Sequence, residues 1–352
     1  MDSIAKSKAV DRFALFNRTA SVMSHGCHAA IVEKDFWVCW ALRRIFEVLQ
    51  FRPYMIFKGG TSLSKAYRAI ERFSEDVDLS LSRRDLGFAD SRDPEQNGIS
   101  KTEARRRLDA LVAECRNVIR EKLVPDLRED FSATLGDVGW SVDLDPGDPQ
   151  TVIFVYPSTE VSGAVAYVRP SIRLEMGARS DDWPAAEAVI TPYAAEAFPD
   201  LFKIRSCQVR TLAAERTFWE KATLLHAECH RPPDKPSPER LARHYYDLYR
   251  LARQPVAEQA MERHELLERV VAHKSFFFCQ SWAHYETAWP GTLRLLPAAD
   301  RLEGLRRDYQ SMESMIFGDA PSWDDIVNQL KRLEMRINGM ALDLARMAPS
   351  PV

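Results

Sequence analysis

The segment from Tyr54 to Leu81 contains the residues whose types and spacing most clearly indicate chemistry. Gly59 and Gly60 follow an apolar run, and Asp76 and Asp78 stand two apart at the start of the next one. If that second run is a strand, the two carboxylates share one face, roughly 7 Å apart. Free main-chain N–H groups at a glycine turn attract an anion, whereas two acids repel it. A divalent cation, Mg²⁺ or Mn²⁺, resolves this conflict because it binds carboxylates and phosphate oxygens together.

The elements that position these residues can be inferred from the pattern around them. Tyr54–Phe57 predicts a short buried strand, and the glycines predict a turn. Thr61 or Ser62 then caps a helix through Ala69, and Val77–Leu81 forms a second strand.

The complete string of this segment resembles one branch of the nucleotidyltransferase superfamily. Lys58-Gly-Gly-Thr-Ser-Leu and Arg72-Phe-Ser-Glu-Asp-Val-Asp-Leu79 are similar to the signature of the AbiEii/AbiGii nucleotidyltransferase toxins, relatives of the MenT toxins. The resemblance implies an α+β fold, with a nucleotidyltransferase-like mixed sheet, flanking helices and a helical C-terminal domain. It also implies a metal site at Asp76 and Asp78 and a nucleotide site formed by Lys58, Gly59, Gly60, Thr61, Ser74 and Lys221.

Glu175 is the candidate for a third carboxylate. In a strand predicted over Ala166–Met176, Arg173 and Glu175 alternate with apolar residues and therefore share a face. A surface ion pair between Arg173 and Glu175 explains the pattern equally well. The family places its third carboxylate on such a later strand, and this resemblance favours Glu175 as a site residue.

Two further catalytic candidates come from the second half of the chain. By position in the family's third motif, Lys221 is the lysine that meets the nucleotide phosphates, although a lysine inside a helix (here predicted over Thr211–Glu228) usually faces solvent. Asp247 matches the aspartate of the fourth motif. Alternatively, it is a helix-surface acid paired with Arg243 or Arg250.

Other charged segments have less specific patterns. A helix is predicted over Ala29–Leu49, and the charged triplet Glu33-Lys34-Asp35 near its start indicates a solvated first turn. The same triplet recurs in the toxin family, so the second possibility is that Lys34 points toward the site. A helix predicted over Lys101–Lys122 has seven basic and four acidic residues, which allows contact with RNA phosphates or, more commonly, simple solvation.

Composition sets the class of protein. The chain has 352 residues, is 45% hydrophobic and 28% charged, and carries a net charge of −3. Its six cysteines are scattered and no apolar run reaches about 18 residues. We therefore predict a cytoplasmic protein with reduced thiols and no membrane segment. Near residue 190 the sequence changes from mixed patterns to an almost entirely helical one, which predicts a nucleotidyltransferase domain over 1–190 and a helical domain over 191–352 that closes the cleft.

The function predicted from these motifs is that of a Mg²⁺-dependent nucleotidyltransferase toxin. The resemblance implies that an NTP donates its nucleoside monophosphate to the 3′ end of a tRNA, that this blocks translation, and that an antitoxin protein neutralises the effect. Two alternatives remain open from the residues alone: transfer to a protein or small hydroxyl compound, and nucleotide binding without turnover.

Overall fold

A mixed seven-stranded sheet organises the first half of the protein. The computed structural model describes residues 1–23, 27–51, 54–159 and 169–347, with side chains as far as 340. The strands are β1 (Met55–Lys58), β2 (Asp76–Leu81), β3 (Ser141–Asp145), β4 (Asp148–Val155), β5 (Ser171–Gly177), β6 (Ala185–Ile190) and β7 (Cys207–Leu212). Their order is β3-β4-β5-β2-β1-β7-β6. The pairs β2–β5 and β1–β7 are parallel and the other neighbours are antiparallel.

Helices flank this sheet and form most of the C-terminal half of the chain. They are α1 (Asp2–Ala5), α2 (Ala9–Val22), α3 (Ala29–Arg43), α4 (Gly59–Lys65), α5 (Lys101–Val118), α6 (Val124–Leu135), α7 (Tyr193–Ala197), α8 (Ala214–Cys229), α9 (Ala242–Leu251), α10 (Pro255–Glu262), α11 (His264–Phe277), α12 (Leu302–Met312) and α13 (Trp323–Met347). The predicted α+β fold, a mixed sheet with flanking helices and a helical C-terminal half, is confirmed.

The chain divides into two compact units. The first comprises Met1–Arg68 and Phe73–Leu212, and the second comprises Ala69–Arg72 and Ala213–Val352. The sheet thus continues past the boundary predicted near residue 190, because β7 pairs with both β1 and β6. Contacts within one structure do not test independent folding, so the two-domain assignment stays a prediction.

The first unit has its core where α3 packs on the sheet. Every residue from Ala29 to Arg43 is buried. The rings of Trp40, Phe131 and Phe154 lie against one another, with centroids 4.6 Å apart for the first pair and 4.8 Å for the second. This core fixes the sheet face that is opposite to the polar one on β2 and β5.

The second unit is built around α8. The Trp219 indole N–H donates to the main-chain oxygen of Ala260 over 2.9 Å, which ties α8 to α10. None of the helices that the structure describes is long and apolar enough to cross a lipid bilayer. All six cysteines are free thiols, as predicted.

Some predicted boundaries are wrong. The helix predicted from Thr211 begins instead at Ala214, because Thr211 is in β7 and its hydroxyl donates to the main-chain oxygen of Phe57 over 2.9 Å. A β-branched residue suits a central strand better than a helix start. The helix predicted to run through Ala69 ends at Lys65. Of the strand predicted over 166–176, residues 166–168 lie outside the described part of the chain.

Candidate active site

Three carboxylates lie on one face of the sheet where β2 and β5 run side by side. In this parallel pairing, Asp78 is directly opposite Glu175 and Asp76 is opposite Arg173. Neighbouring strands are separated by about 4.8 Å, so the four side chains form a single polar surface of half-buried residues. The structure therefore brings together the two predicted metal ligands and the predicted third carboxylate.

Glu175 takes part in both of the interactions that its sequence pattern suggested. Burial raises the pKa of Glu175, and the nearby Asp76 and Asp78 raise it further. Arg173 opposes this shift, with Nε 3.5 Å from a Glu175 oxygen. The same guanidinium donates to Asp145 over 2.5 Å, so its charge is divided between two acids. The ion pair therefore exists, yet Glu175 remains the acid whose pKa is raised.

Gly59 brings the main chain into direct contact with Asp78. Its φ is +78°, a region that residues with a side chain rarely adopt. A Cβ atom at this position would lie 1.9 Å from Asp78 Oδ2 and 2.8 Å from Asp78 Cγ. Lys58, one residue earlier, is the direct cross-strand partner of Asp78 in the β1–β2 pair. The glycine turn and the lysine thus both adjoin this carboxylate.

Thr61 supports the site from inside the fold. The prediction that Thr61 or Ser62 caps the helix is wrong, because α4 starts at Gly59 with Lys58 as its N-cap. The Thr61 hydroxyl, which is buried, donates to the main-chain oxygens of Ser74, at 3.2 Å, and of Asp76. It therefore attaches α4 to the start of β2. Nucleotide contact by Thr61 and Ser74 stays a prediction.

The Glu33-Lys34-Asp35 triplet is not a solvated turn, and that prediction is wrong. All three residues are buried. Lys34 Nζ lies 2.8 Å from a carboxylate oxygen of Glu75, and Asp35 lies 2.7 Å from Lys65 Nζ. Glu33 accepts hydrogen bonds from the main-chain N–H and the hydroxyl of Thr159, at 2.7 and 3.0 Å. Sequence analysis missed these roles; the signal was that α3 is apolar on every side and leaves no face for solvent.

Lys221 and Asp247 meet in the second unit as parts of a buried charge cluster. Lys221 Nζ is 2.7 Å from Asp247 Oδ2, and Arg72 donates to both Asp247 oxygens over 2.7 and 2.9 Å. The two cations hold the pKa of Asp247 below its usual range although burial acts in the opposite direction. Burial lowers the pKa of Lys221, and Asp247 opposes that shift.

This cluster corrects the alternatives weighed from sequence. Lys221 does not face solvent, and the acid pairs with Arg72 and Lys221 instead of Arg243 or Arg250. Arg250 lies 2.5 Å from Glu71. Arg72 is in the signature string, but no local pattern indicates that it binds an acid 175 positions later.

The arginines of α5 are balanced by acids on the same helix. Arg106 and Arg107 both donate to Glu103 over 2.7 Å, and Arg105 lies 3.2 Å from Asp109. The hydrogen bond from Arg106, followed by that from Arg107, lowers the pKa of Glu103 to about 2. This helix therefore offers less unbalanced positive charge than the count of its basic residues suggests, which weakens the case for RNA contact here.

The carboxylates on β2 and β5 have the donor chemistry that Mg²⁺ and Mn²⁺ require. Asp76 and Asp78 carry the hard carboxylate oxygens that these ions prefer, and after burial these two acids are the next causes of the raised pKa of Glu175. In the part of the chain that the structure describes, no group of three or more metal-binding side chains is spaced to enclose an ion. Two carboxylates completed by substrate oxygens and water match the way in which Mg²⁺ usually binds.

The sequence matches a known family over most of its length. The model of the nucleotidyl transferase AbiEii toxin family, a type IV toxin–antitoxin system, covers residues 40–329. That range contains the acidic face, the glycine turn and the buried cluster around Asp247. The chain belongs to this family. It is a nucleotidyltransferase, and the family implies an NTP substrate and an antitoxin partner.

Among solved structures, the chain is similar to MenT4, a nucleotidyltransferase toxin from Mycobacterium tuberculosis H37Rv. The two share 16% sequence identity and superpose with a TM-score of 0.45, covering 93% of this chain and 98% of MenT4. No curated protein matches the sequence.

Proposed function

We propose that this AbiEii-type enzyme transfers a nucleoside monophosphate from an NTP to a hydroxyl group of its acceptor. The acceptor oxygen attacks the α-phosphorus, the bond from that phosphorus to its bridging oxygen breaks, and pyrophosphate leaves. The observation that supports this reaction is the shared face of Asp76, Asp78 and Glu175 beside the Gly59 turn.

Asp76 and Asp78 are the residues that would hold the divalent cation, Mg²⁺ or Mn²⁺. When bound there, the cation supplies electrostatic stabilisation to the triphosphate. Lys58 is opposite Asp78 across the β1–β2 pair and adds a fixed positive charge to the same surface. The main-chain N–H groups at Gly59 and Gly60, together with Ser74, would donate to the phosphate oxygens.

Glu175 would accept the proton of the attacking hydroxyl. A general base works best when its pKa lies near the working pH. Burial, the largest cause of the shift, moves the pKa of Glu175 in that direction. Arg173 limits the shift and holds the side chain in place from 3.5 Å. The proton thus passes from the acceptor oxygen to a carboxylate that is already poised to take it.

Lys221 and Asp247 would serve the phosphates of the nucleotide, the role that the family resemblance gives to this lysine. The compact ammonium of Lys221 suits a phosphate oxygen as a point charge. Asp247 lies 2.7 Å from that ammonium, and its negative charge opposes the lowering of the Lys221 pKa by burial. Asp247 would therefore orient the lysine.

The acceptor that we propose is the 3′ end of a tRNA, and the consequence is a block of translation that an antitoxin relieves. Family membership supports this choice through the toxin–antitoxin context. A tRNA end offers the free hydroxyl that the reaction needs. Loss of that hydroxyl to a nucleotide cap would prevent aminoacylation, which is how nucleotide transfer becomes toxic.

The proposal is tested by incubating the protein with each labelled NTP in turn, Mg²⁺ and total RNA. Label in small RNA supports the tRNA acceptor, and label in protein would replace it with protein nucleotidylation. Binding without transfer would contradict the enzyme mechanism itself. Asp76→Ala and Asp78→Ala should transfer no label, whereas Asp109→Ala, an exposed acid on α5, should behave as the wild type.

A further inference from the structure

Two of three consecutive buried charges on α3 contact the segments that flank the catalytic aspartates. Glu33, Lys34 and Asp35 are between 0 and 3% exposed. Burying ionised groups is costly unless each one is paired. Lys34 and Asp35 each form an ion pair, and Glu33 accepts two hydrogen bonds from Thr159. These partners lie far apart in sequence, so a single turn of α3 joins several parts of the first unit.

Lys34 is attached to the residue immediately before Asp76. Its ammonium lies 2.8 Å from Glu75 Oε2, and the two side chains are only 3% and 12% exposed. Glu75 precedes the first residue of β2. The ion pair therefore fixes the main chain at the point where β2 begins and Asp76 leaves it.

Asp35 is attached to the far end of the helix that begins at the glycine turn. It lies 2.7 Å from Nζ of Lys65, the last residue of α4, and it also accepts the main-chain N–H of Tyr193 over 2.7 Å. The Lys65 ammonium lies over the Tyr193 ring at 3.8 Å. At the other end of α4, Gly59 is packed against Asp78.

These contacts connect α3, α4 and β2 to one another around the acidic face. α3 holds the C-terminal end of α4 through Asp35 and the start of β2 through Lys34. α4 in turn holds β2 through the buried Thr61 hydroxyl, which donates to the main-chain oxygens of Ser74 and Asp76. A structure that only needed stability could fill this space with apolar residues, which often stabilise as well as a buried ion pair does.

We propose that Lys34 is a positioning residue for nucleotide transfer: through Glu75 it sets the place of Asp76 relative to Asp78 and the glycine turn. The inference rests on the proposed function, because it assigns Asp76 to the metal. Because its side chain is only 3% exposed and is paired with Glu75, Lys34 would act through Glu75 instead of binding substrate or metal itself. A shift of about 1 Å in a reacting group can lower a rate about 10²-fold, so loss of the connection should reduce turnover at least tenfold.

The test separates positioning from stability by neutralising both partners at once. Lys34→Met alone takes the buried ammonium away from the Glu75 carboxylate and should lower the urea midpoint of unfolding. The double variant Lys34→Met/Glu75→Gln removes both charges and should recover most of that midpoint. Its kcat for label transfer at saturating NTP should nevertheless stay at least tenfold below wild type, with the KM for NTP changed less than threefold.

A second buried ion pair near the end of the same helix provides the matched control. Arg44 pairs with Asp130, and their side chains are 9% and 10% exposed; Arg44 also lies 3.4 Å from Asp2, which keeps its ion pair with Arg43 in the variant. The double variant Arg44→Met/Asp130→Asn should recover its urea midpoint in the same way and keep kcat within twofold of wild type. If the Lys34→Met/Glu75→Gln protein also keeps kcat within twofold, Lys34 has only a structural role and the proposal is wrong.

Two further measurements keep the test valid if a variant folds poorly or if turnover is not found. Glu75→Asp retains the charge but shortens the side chain by one methylene, so it should fold with a midpoint near wild type and still lose kcat. Mn²⁺ binding, followed by electron paramagnetic resonance with a non-hydrolysable NTP analogue, needs no reaction. We expect at least fivefold weaker Mn²⁺ binding in Lys34→Met/Glu75→Gln and unchanged binding in Arg44→Met/Asp130→Asn. Equal Mn²⁺ affinity in both would overturn the proposal, whereas a wild-type protein without transfer would contradict the proposed function instead.

Discussion

Replacement of Gly59 by alanine tests whether the glycine turn and Asp78 form one working unit. The structure predicts two separate costs. The φ of +78° is unfavourable for any residue with a Cβ, by about 1–2 kcal/mol of folding free energy. In addition, the new Cβ would lie 1.9 Å from Asp78 Oδ2, so that oxygen must retreat by about 1.5 Å to reach an ordinary separation of 3.4 Å. Displacement of this size in the carboxylate that we propose as a metal ligand should lower the transfer rate by about 10²-fold.

Gly136 offers a control in which only the first cost applies. It ends α6 with the same φ of +78°, and nothing lies within 4 Å of the Cβ that alanine would add. Gly136→Ala should therefore lose a similar free energy of unfolding in urea but transfer label at the wild-type rate. The assay is the initial rate of label transfer at saturating NTP and Mg²⁺, measured together with urea unfolding for both variants. If Gly59→Ala transfers label within threefold of Gly136→Ala, the contact with Asp78 has no part in catalysis.

Three further predictions concern the second unit. Asp247→Asn removes the carboxylate charge that contacts the buried Arg72 and Lys221 and should lower the free energy of unfolding by about 3–5 kcal/mol in urea; a loss below 1 kcal/mol would show that the cluster is solvated. Lys221→Ala should raise the apparent KM for NTP by a large factor while it lowers the thermal midpoint of unfolding only modestly. Lys221→Arg should restore the KM poorly, because a planar guanidinium differs from the compact ammonium. If both variants use NTP as well as the wild type does, Lys221 has no phosphate role. Burial lowers the pKa of His226 to about 4, and its Nδ1 accepts the main-chain N–H of Arg294. The folded protein then binds fewer protons than the unfolded chain between about pH 6.5 and pH 4, so stability should fall by up to about 3 kcal/mol as the pH decreases through that range. His226→Gln should flatten this pH dependence of unfolding, and an unchanged slope would refute the assignment.

The part of the site that sequence predicts well is the part whose geometry is local. The apolar run, the two glycines and the aspartates at a spacing of two determine a strand, a turn and a shared face without any knowledge of distant residues. For Glu175, the alternation of polar and apolar residues along β5 predicts which face the side chain is on, but not that it lies opposite Asp78. The family resemblance indicated that second point.

Residues whose roles depend on long-range packing were missed. The burial of Glu33, Lys34 and Asp35 was missed because charged residues near a helix start usually face solvent, although the residues around them make α3 apolar on every side. The pairing of Arg72 with Asp247 joins positions 175 apart. The wrong start predicted for α8 has the same origin. Thr211 is compatible with the start of a helix or the end of a strand, and only its pairing with Phe57 places it in the strand.

Asp76 and Asp78 are the residues that we propose as ligands of the divalent cation on which transfer depends. The most direct test is Mn²⁺ binding measured by electron paramagnetic resonance in the presence of a non-hydrolysable NTP analogue, with Asp78→Asn compared with wild type. Asp143→Asn is the control, since Asp143 is an exposed acid of β3 paired with Arg128. We predict at least tenfold weaker Mn²⁺ binding and no label transfer for Asp78→Asn, with both unchanged for Asp143→Asn. Wild-type Mn²⁺ affinity in Asp78→Asn would contradict a metal site at Asp76 and Asp78.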